Sequence, residues 1–230
     1  MRRTRWPWLI FMTVLAGLWL LPLYAMVANS LKTLREIAQS QYVLPPAGLE
    51  LQNYATAFAI LRRGLANSAL VAGPATILAL LLGSAAGFFL ARMNFRRAQA
   101  VFFLATIATF LPYQIVLIPL IQVIGRLNLM NTRPGLIVAY LILNTPMAAL
   151  ITATFFQTVP AEMQEAAALD GCGPVTFYWR ILLPVAQLGL LSTAILIFTM
   201  IWNEFLIATA LTQGPFSQLA TPVLAGLKGN

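Results

Sequence analysis

The chain contains 230 residues, of which 60% are hydrophobic and only 9% are charged. Soluble globular domains usually carry about 25% charged residues, so this composition excludes an ordinary soluble domain and indicates a membrane protein. The net charge of +8 does not indicate a nucleic-acid-binding protein, because the basic residues stand in twos and threes beside apolar segments, where they typically set membrane topology.

Apolar runs without a charged residue predict an all-α, polytopic membrane protein. An α-helix needs about 20 residues to cross the hydrocarbon core of a bilayer, and several charge-free runs exceed that length. A further charge-free run, 205–227, is rich in Thr, Gln and Pro, so we expect only its start to be membrane helix. We expect about five transmembrane helices, at residues 8–30, 66–90, 100–122, 135–157 and 186–211.

The N-terminal segment is expected to be retained as the first transmembrane helix. Arg2, Arg3 and Arg5 precede the apolar run as they would in a signal peptide. That run is too long for a signal peptide, and no clear small-residue cleavage site precedes Asn29. Trp6 and Trp8 stand where an interfacial aromatic belt would anchor a membrane helix.

An outer segment is predicted at residues 31–64, between the first two membrane helices. Pro45, Pro46 and Gly48 indicate turns in this segment. Residues 49–65 have apolar side chains at mixed helical spacing, which favours a helix along the membrane surface. A plain connector is the alternative interpretation of the same residues.

A polar island interrupts the apolar sequence at residues 165–184. Glu162, just before it, together with Glu165 and Asp170 makes up half of the six acidic residues in the chain. Because charged side chains are costly inside the bilayer, we expect this loop to lie outside the lipid.

Proline and glycine divide this polar region into two predicted helices. Pro160 can open a helix over residues 161–169, where the composition favours helix. Gly171 and Gly173 are expected to end that helix before Pro174 opens a second one. The expected result is two short helices joined by a bend.

The same loop carries a family resemblance. Its spacing is set by Glu165, Ala166, Ala167, Gly171, Ile181, Leu183 and Pro184. This pattern resembles the EAA loop of binding-protein-dependent ABC importer permeases, and we call residues 165–184 the EAA-like loop. The resemblance implies that these seven residues form the coupling helix and its surroundings, which dock into a cleft on a separate cytoplasmic ATPase subunit. An ordinary helical cytoplasmic loop is the alternative interpretation.

Further segments are similar to the carbohydrate (maltose-type) branch of this family. They are Asn67-Ser68 and residues 111–120, 125–136 and 202–205. The resemblance implies the type I ABC importer permease fold and translocation of a sugar. It also implies a single transmembrane permease domain over residues 1–230, with the first helix and outer segment at 1–64 and the transport core at 65–230. Family members continue into one more transmembrane helix, so the core is expected to be C-terminally incomplete.

The resemblance also implies partners and a location. We expect a second permease subunit, two ATP-binding subunits, an extracytoplasmic solute-binding protein and membrane lipid as partners, and no nucleic acid. The location is the bacterial or archaeal cytoplasmic membrane. The basic residues divide evenly between its two sides, but the EAA-like loop has to face the ATPase, which favours a cytoplasmic N-terminus.

The residues that the chain lacks limit its chemistry. Its two lysines, Lys32 and Lys228, do not stand in a phosphate-binding GxxxxGK[ST] loop, so we expect ATP and Mg²⁺ to be bound by partner subunits and no cofactor by this chain. With no histidine and with Cys172 as the only cysteine, His/Cys metal sites and Ser-His or Cys-His catalysis are excluded. We therefore expect no enzyme. A membrane-embedded enzyme, a non-transporting scaffold subunit and a permease for glycerol-phosphate are the alternatives considered.

Glu204 is the only ionisable residue within a predicted membrane helix, which makes it a candidate functional residue. Trp202 and Asn203 beside it, with Gln114 and Asn144 in other helices, are candidates to line a substrate pathway. Amide and aromatic side chains suit a sugar, because they offer hydrogen bonds and a stacking face. Alternatively, Glu204 is hydrated near the outer interface, or it bonds to backbone or to the partner subunit and fixes helix packing.

Overall fold

The computed structural model describes residues 6–92, 98–110, 112–214 and 216–227. These residues form helices and connecting turns, as the sequence predicts. The helices are α1 (Trp6–Ser30), α2 (Leu34–Ala38), α3 (Gln52–Arg92), α4 (Ala98–Phe110), α5 (Tyr113–Arg126), α6 (Arg133–Gln157), α7 (Ala161–Leu169), α8 (Pro174–Phe177), a π-helical segment (Tyr178–Leu182), α9 (Leu183–Val185), α10 (Gln187–Asn203), α11 (Leu206–Leu211) and α12 (Ala220–Gly226). The basic residues Arg2, Arg3 and Arg5, and the last residues 228–230, lie outside the described ranges.

Three of these helices, α1, α3 and α6, are each long and apolar enough to cross a membrane. The helical stretch Pro174–Val185 and α10 together meet the same requirement but are bent by 79° relative to each other. The predicted helices at 8–30, 66–90 and 135–157 therefore correspond to α1, α3 and α6. The structure differs from the prediction in the other two.

The predicted third membrane helix, 100–122, is two helices in the structure. α4 ends at Phe110 and α5 begins at Tyr113, with Pro112 at the N-cap of α5. Proline has no amide hydrogen to donate and its ring clashes with the preceding turn, so a break at Pro112 has a direct cause. Pro119 and Pro146 lie inside α5 and α6 without ending them.

The predicted fifth helix, 186–211, is also interrupted. α10 ends at Asn203 and α11 begins at Leu206, so Glu204 lies in a break and not inside a continuous helix. The prediction of a single helix was wrong here. The helix is interrupted because the Glu204 carboxylate accepts hydrogen bonds from the Ile207 and Ala208 amides.

The second predicted helix is longer than expected. α3 has 41 residues and includes most of the 49–65 segment, which was expected to lie apart along the membrane surface. No proline occurs between Gln52 and Pro74, so nothing ends the helix between the two segments. The chain divides into two compact units within α3, one up to Arg62 and one from Arg63 onward.

In the first unit, hydrogen bonds hold the segment that connects α1 to α3. Asn53 Nδ2 donates to the carbonyl oxygens of Ser30 at 3.0 Å and Lys32 at 2.9 Å. The Lys32 side chain is 1% exposed, and its Nζ donates to Asn29 Oδ1 at 3.0 Å and to the carbonyl of Gln41. These bonds make the outer segment an ordered connection.

Glu36 fixes this outer segment through both carboxylate oxygens. The Thr33 amide donates to Oε2 at 2.9 Å as part of a capping box for α2. The Ala47 amide donates to Oε1 at 2.9 Å. Because these bonds favour the ionised form, first from Ala47 and then from Thr33, the pKa of Glu36 is lowered from its usual value.

We expect acidification to loosen the outer segment. The folded-state pKa of Glu36 lies below its unfolded value, so its stabilising contribution is present above the unfolded pKa and is lost as the pH falls through the folded pKa. Hydrogen exchange, corrected for the intrinsic rate at each pH, should show the Ala47 amide losing protection over that range. Glu36→Gln should remove the pH dependence. Protection of Ala47 that stays constant down to about pH 3 contradicts this expectation.

In the second unit, small residues bring α3 against α6. A Cβ added at Gly87 would lie 2.7 Å from the Ala149 carbonyl oxygen and 2.9 Å from the Ala153 amide nitrogen. Gly83 faces the Ala148 and Ala149 backbone in the same way. The close approach of the two helices therefore requires glycine at both positions.

Gly87→Ala is expected to destabilise the fold by about 1–3 kcal/mol, because the added methyl group overlaps the α6 backbone. The matched control is Gly73→Ala in the same helix, where the new methyl group meets nothing within 4 Å. That control should be neutral or more stable by up to about 1 kcal/mol, since alanine favours helix. Unfolding by SDS in mixed micelles measures both changes. Equal effects of the two substitutions would show that α3 does not require this contact.

Candidate functional site

The EAA-like loop and the residues before it form the two short helices that the sequence predicts. α7 covers Ala161–Leu169 and α8 begins at Pro174. Gly171 has a φ of 75°, in the left-handed region that favours glycine. Its amide donates to the Ala168 carbonyl at 3.0 Å, and the Cys172 amide donates to the Ala167 carbonyl at 2.9 Å. These two bonds form a Schellman motif that ends α7.

The seven residues of the predicted ATPase contact divide into a surface group and a supporting group. Ala167 is 7% exposed and belongs to an apolar cluster with Phe88, Phe156 and Leu182. Ile181 and Leu183 are partly buried against the same cluster. The exposed members are Glu165, Ala166, Gly171 and Pro184.

Large apolar side chains are exposed around these four residues. Leu169 is 90% exposed, Val175 71% and Trp179 54%. Exposed apolar and aromatic side chains are enriched in protein-protein interfaces, and here they stand among four exposed charged residues, Glu162, Glu165, Asp170 and Arg180. The sequence motif alone does not identify Leu169 and Val175, because neither belongs to the family spacing.

Aromatic residues hold the end of the loop. Tyr178 begins the π-helical segment, and its ring centroid lies 5.3 Å from that of Phe88 and 6.5 Å from that of Phe156. Its hydroxyl forms a 2.7 Å hydrogen bond with Ser84 Oγ. The loop is thereby attached to both α3 and α6. Isolated π-helical turns are frequent at functional sites.

A second feature is a cavity of about 390 Å³ in the second unit. Residues of α4, α5, α6, α10 and α11 contribute to its wall, together with the break before α11. Its size lies within the range of about 300–1,000 Å³ that is usual for small-molecule sites. Its polar lining consists of Thr109, Tyr140, Asn144, Asn203 and Glu204, and its apolar lining of Val116, Leu143, Met147, Met200, Ile201 and Ile207.

Glu204 lies at the break between α10 and α11 and satisfies backbone groups there. Its Oε1 accepts from the Ile207 amide at 2.9 Å, and its Oε2 accepts from the Ala208 amide at 3.0 Å. Oε2 also accepts from the Tyr140 hydroxyl at 2.8 Å, which connects the break to α6. The Glu204 carbonyl accepts from Thr221 Oγ1 at 3.1 Å. The carboxylate thus stabilises the interruption of the helix as well as lining the cavity.

The structure brings three of the five candidate pathway residues together. Asn144, Asn203 and Glu204 line the cavity, whereas Gln114 and Trp202 do not. Gln114 is exposed, and the half-buried Trp202 stacks on Phe198 with ring centroids 5.5 Å apart. The prediction for Gln114 and Trp202 therefore has no support from this cavity.

Tyr140 is a cavity residue that the sequence did not indicate. It is 1% exposed and stands within an apolar run of α6. A buried tyrosine hydroxyl usually finds a polar partner, and Glu204 is the only carboxylate within a predicted membrane helix. A tyrosine and a carboxylate, both in predicted membrane helices, were therefore possible partners. No sequence spacing links the two, because they lie 64 positions apart.

The amide side chains of the cavity keep capacity for further hydrogen bonds. Asn144 Nδ2 donates to the Tyr140 carbonyl at 2.8 Å, and Asn203 Nδ2 donates to the Thr199 carbonyl at 2.8 Å. Each amide has a second N–H and an oxygen with two lone pairs. Among the described residues, no group of three His, Cys, Asp or Glu side chains is placed to hold a metal ion.

Comparison with known proteins places these features in context. Residues 79–229 match the family described as binding-protein-dependent transport system inner membrane component. The glucose import system permease protein of Saccharolobus solfataricus is 28% identical over 95% of this chain and 78% of its own length. A probable ABC transporter permease protein of Pyrococcus horikoshii is 36% identical over 99% of this chain and 83% of its own length. The trehalose transport system permease protein of Mycobacterium tuberculosis is 28% identical over 97% of this chain and 81% of its own length.

A solved structure has the same fold. It is the crystal structure of a bacterial ABC transporter involved in the import of the acidic polysaccharide alginate, one chain of which matches with a TM-score of 0.81. The match covers 100% of this chain and 81% of that chain at 18% sequence identity. The likeness shows the helical ABC importer permease fold, and the expected fold class is confirmed.

Proposed function

The chain belongs to the family of binding-protein-dependent transport system inner membrane components, and we propose that it is the sugar-translocating permease subunit of an ABC importer. It is a multi-pass membrane protein of the permease type, and its relatives are transport permeases rather than enzymes. The similar glucose and trehalose permeases support a sugar as the substrate. The observation that carries the proposal is the exposed, glycine-capped helix α7 at the start of the EAA-like loop.

Energy for transport is proposed to come from two partner subunits that bind ATP and Mg²⁺. This chain lacks a phosphate-binding loop, and α7 with Leu169 and Val175 offers an exposed surface for docking. The seven residues of the EAA-like motif then act in two ways. Glu165, Ala166, Gly171 and Pro184 contact the ATPase, whereas Ala167, Ile181 and Leu183 hold the loop on its apolar cluster. This arrangement requires the loop, and by the same topology the N-terminus, to be cytoplasmic.

The remaining partners follow from the same assignment. A second permease subunit completes the pathway, and an extracytoplasmic solute-binding protein delivers the solute. Transport requires two conformations of the complex that open the cavity to opposite sides of the membrane. ATP can shift the complex between them only if it binds the two conformations with different affinity. Residues 65–230 are the part of the chain that we assign to the transport core.

The cavity is proposed as part of the solute pathway. Thr109, Asn144 and Asn203 supply hydroxyl and amide groups, and the apolar lining suits the less polar face of a sugar ring. The described residues of the lining include no lysine or arginine, which disfavours a phosphorylated solute such as glycerol-phosphate. Glu204 already accepts three hydrogen bonds from the protein, so its role here is to shape the wall.

Reconstitution tests the proposal. The chain is co-expressed with a candidate second permease, ATPase and solute-binding protein from the same genome, purified and placed in proteoliposomes. We expect an ATPase and a solute-binding protein to co-purify, and radiolabelled glucose or trehalose to enter only with ATP. Recovery of the chain without an ATPase would favour a scaffold subunit. Uptake of glycerol-phosphate in place of both sugars would overturn the substrate class.

A further inference from the structure

The side chain of Arg92 joins the end of α3 to the chain that leads into α7. Its Nη2 donates to the Phe156 carbonyl at 2.6 Å and to the Val159 carbonyl. Phe156 lies in the last turn of α6, and Val159 immediately precedes Pro160, the N-cap residue of α7. One guanidinium therefore holds three elements at the point where the chain enters the coupling helix.

The exit from the EAA-like loop is attached to the same helix. Tyr178 forms its hydrogen bond with Ser84 and packs its ring on Phe88. Ser84, Phe88 and Arg92 are spaced four residues apart, so they lie along one face of α3. The last two turns of α3 thus contact the chain both before α7 and after α8.

We propose that Arg92 is a positioning residue that transmits the displacement of α7 to α3 and α6 during transport. This inference rests on the proposed function, since it requires an ATPase that moves α7. Hydrogen bonds from an ionised guanidinium are stronger than neutral ones, and α6 contributes Tyr140 and Asn144 to the cavity. A movement at Val159 is therefore carried through Arg92 to α3, which packs closely against the cavity-lining helix α6.

A helix cap without a coupling role is the competing explanation, because arginine side chains often bond to the last carbonyls of a helix. The two explanations differ in what happens when Arg92 is removed. Loss of a cap lowers stability and assembly together with all activities in proportion. Loss of a mechanical connection leaves ATP binding and hydrolysis intact, but they no longer change the accessibility of the cavity.

The experiment measures cavity accessibility in the complete complex, so that no knowledge of the solute is needed. Cys172→Ser removes the native thiol, and Met200→Cys places a reporter in the cavity wall. Reaction of this thiol with a membrane-impermeant maleimide is compared before and after trapping with ATP and vanadate. The variants are Arg92→Ala and Arg92→Lys, and the control is Arg126→Ala, which removes an exposed arginine from the end of α5.

With Arg92 intact, trapping should change the labelling rate severalfold; failure of this response would overturn the proposed function rather than the role of Arg92. Arg92→Ala is expected to keep vanadate trapping within about twofold while reducing the labelling response at least fivefold. Arg92→Lys keeps the charge but lacks the planar fork, so an intermediate response is expected. If the complex that carries Arg92→Ala does not assemble, the complex that carries Arg92→Lys provides the test. A labelling response that stays proportional to trapping in the variant that assembles would overturn the role of Arg92.

Discussion

Gly171→Val is expected to reduce ATP-driven solute uptake by at least tenfold while leaving the membrane helices intact. At a φ of 75°, a residue with a Cβ pays a steric cost of about 1–2 kcal/mol, and β-branched residues tolerate this region least. Since each 1.4 kcal/mol is about a tenfold change in an equilibrium, a cost of about 2 kcal/mol depopulates the docking-competent loop roughly thirtyfold. Uptake into proteoliposomes and solute-stimulated ATP hydrolysis by the complete complex measure the effect.

The same substitution two residues later provides the control for Gly171. Gly173 has a φ of −69°, which any residue adopts, and an added Cβ meets nothing within 4 Å at either glycine. Gly173→Val should therefore keep most of the uptake. If both variants lose uptake equally, bulk in the loop is responsible and the left-handed turn is not. If both retain normal uptake and ATP hydrolysis, the loop does not transmit energy from an ATPase.

The bounds of the EAA-like loop helices could be predicted because their signals are local. Pro160, Gly171 and Pro174 act on the backbone within a few residues, and α7 and α8 begin where these residues place them. The apolar runs behind α1, α3 and α6 are equally direct, since their length alone exceeds the thickness of the bilayer core. Local chemistry therefore sufficed for these elements.

The breaks in the other two predicted helices depend on information that hydropathy does not contain. Pro112 coincides with a break whereas Pro119 and Pro146 do not, although all three stand in apolar sequence. At the interruption, Glu204 also accepts a hydrogen bond from Tyr140, which is distant in sequence. A hydropathy pattern predicts burial in lipid, but it does not reveal which buried polar groups find partners.

The candidate pathway residues show the same limit. Asn144 and Asn203 line the cavity, whereas Gln114 and Trp202 lie elsewhere. All four were selected because they are polar or amphipathic residues in membrane segments. Their placement depends on how the helices pack against one another, which only the folded chain determines.

Glu204→Ala is expected to lower the free energy of unfolding by about 3–5 kcal/mol, the range for loss of a buried hydrogen-bond network. The substitution leaves the Ile207 and Ala208 amides without their acceptor, and both residues are buried. Each unsatisfied buried donor costs about 1–3 kcal/mol. The interhelical bond from Tyr140 contributes less, about 0.6–1.7 kcal/mol, because polar groups in an unfolded membrane protein also find partners. Unfolding by SDS in mixed micelles gives the total.

Two further variants separate the backbone contribution of Glu204 from its contact with Tyr140. Glu204→Gln keeps the volume and one acceptor oxygen but replaces the other oxygen with a donating NH2, so one of the two backbone amides loses its acceptor and we expect a loss of about 1–3 kcal/mol. Tyr140→Phe should cost about 1 kcal/mol alone and almost nothing when Glu204 is already alanine, because the partner of the hydroxyl is then absent. Additive effects in this double-mutant cycle would contradict a direct Tyr140–Glu204 interaction. A Glu204→Ala protein as stable as wild type would mean that the break before α11 persists without its carboxylate, and the function of Glu204 would then have to be sought in solute contact.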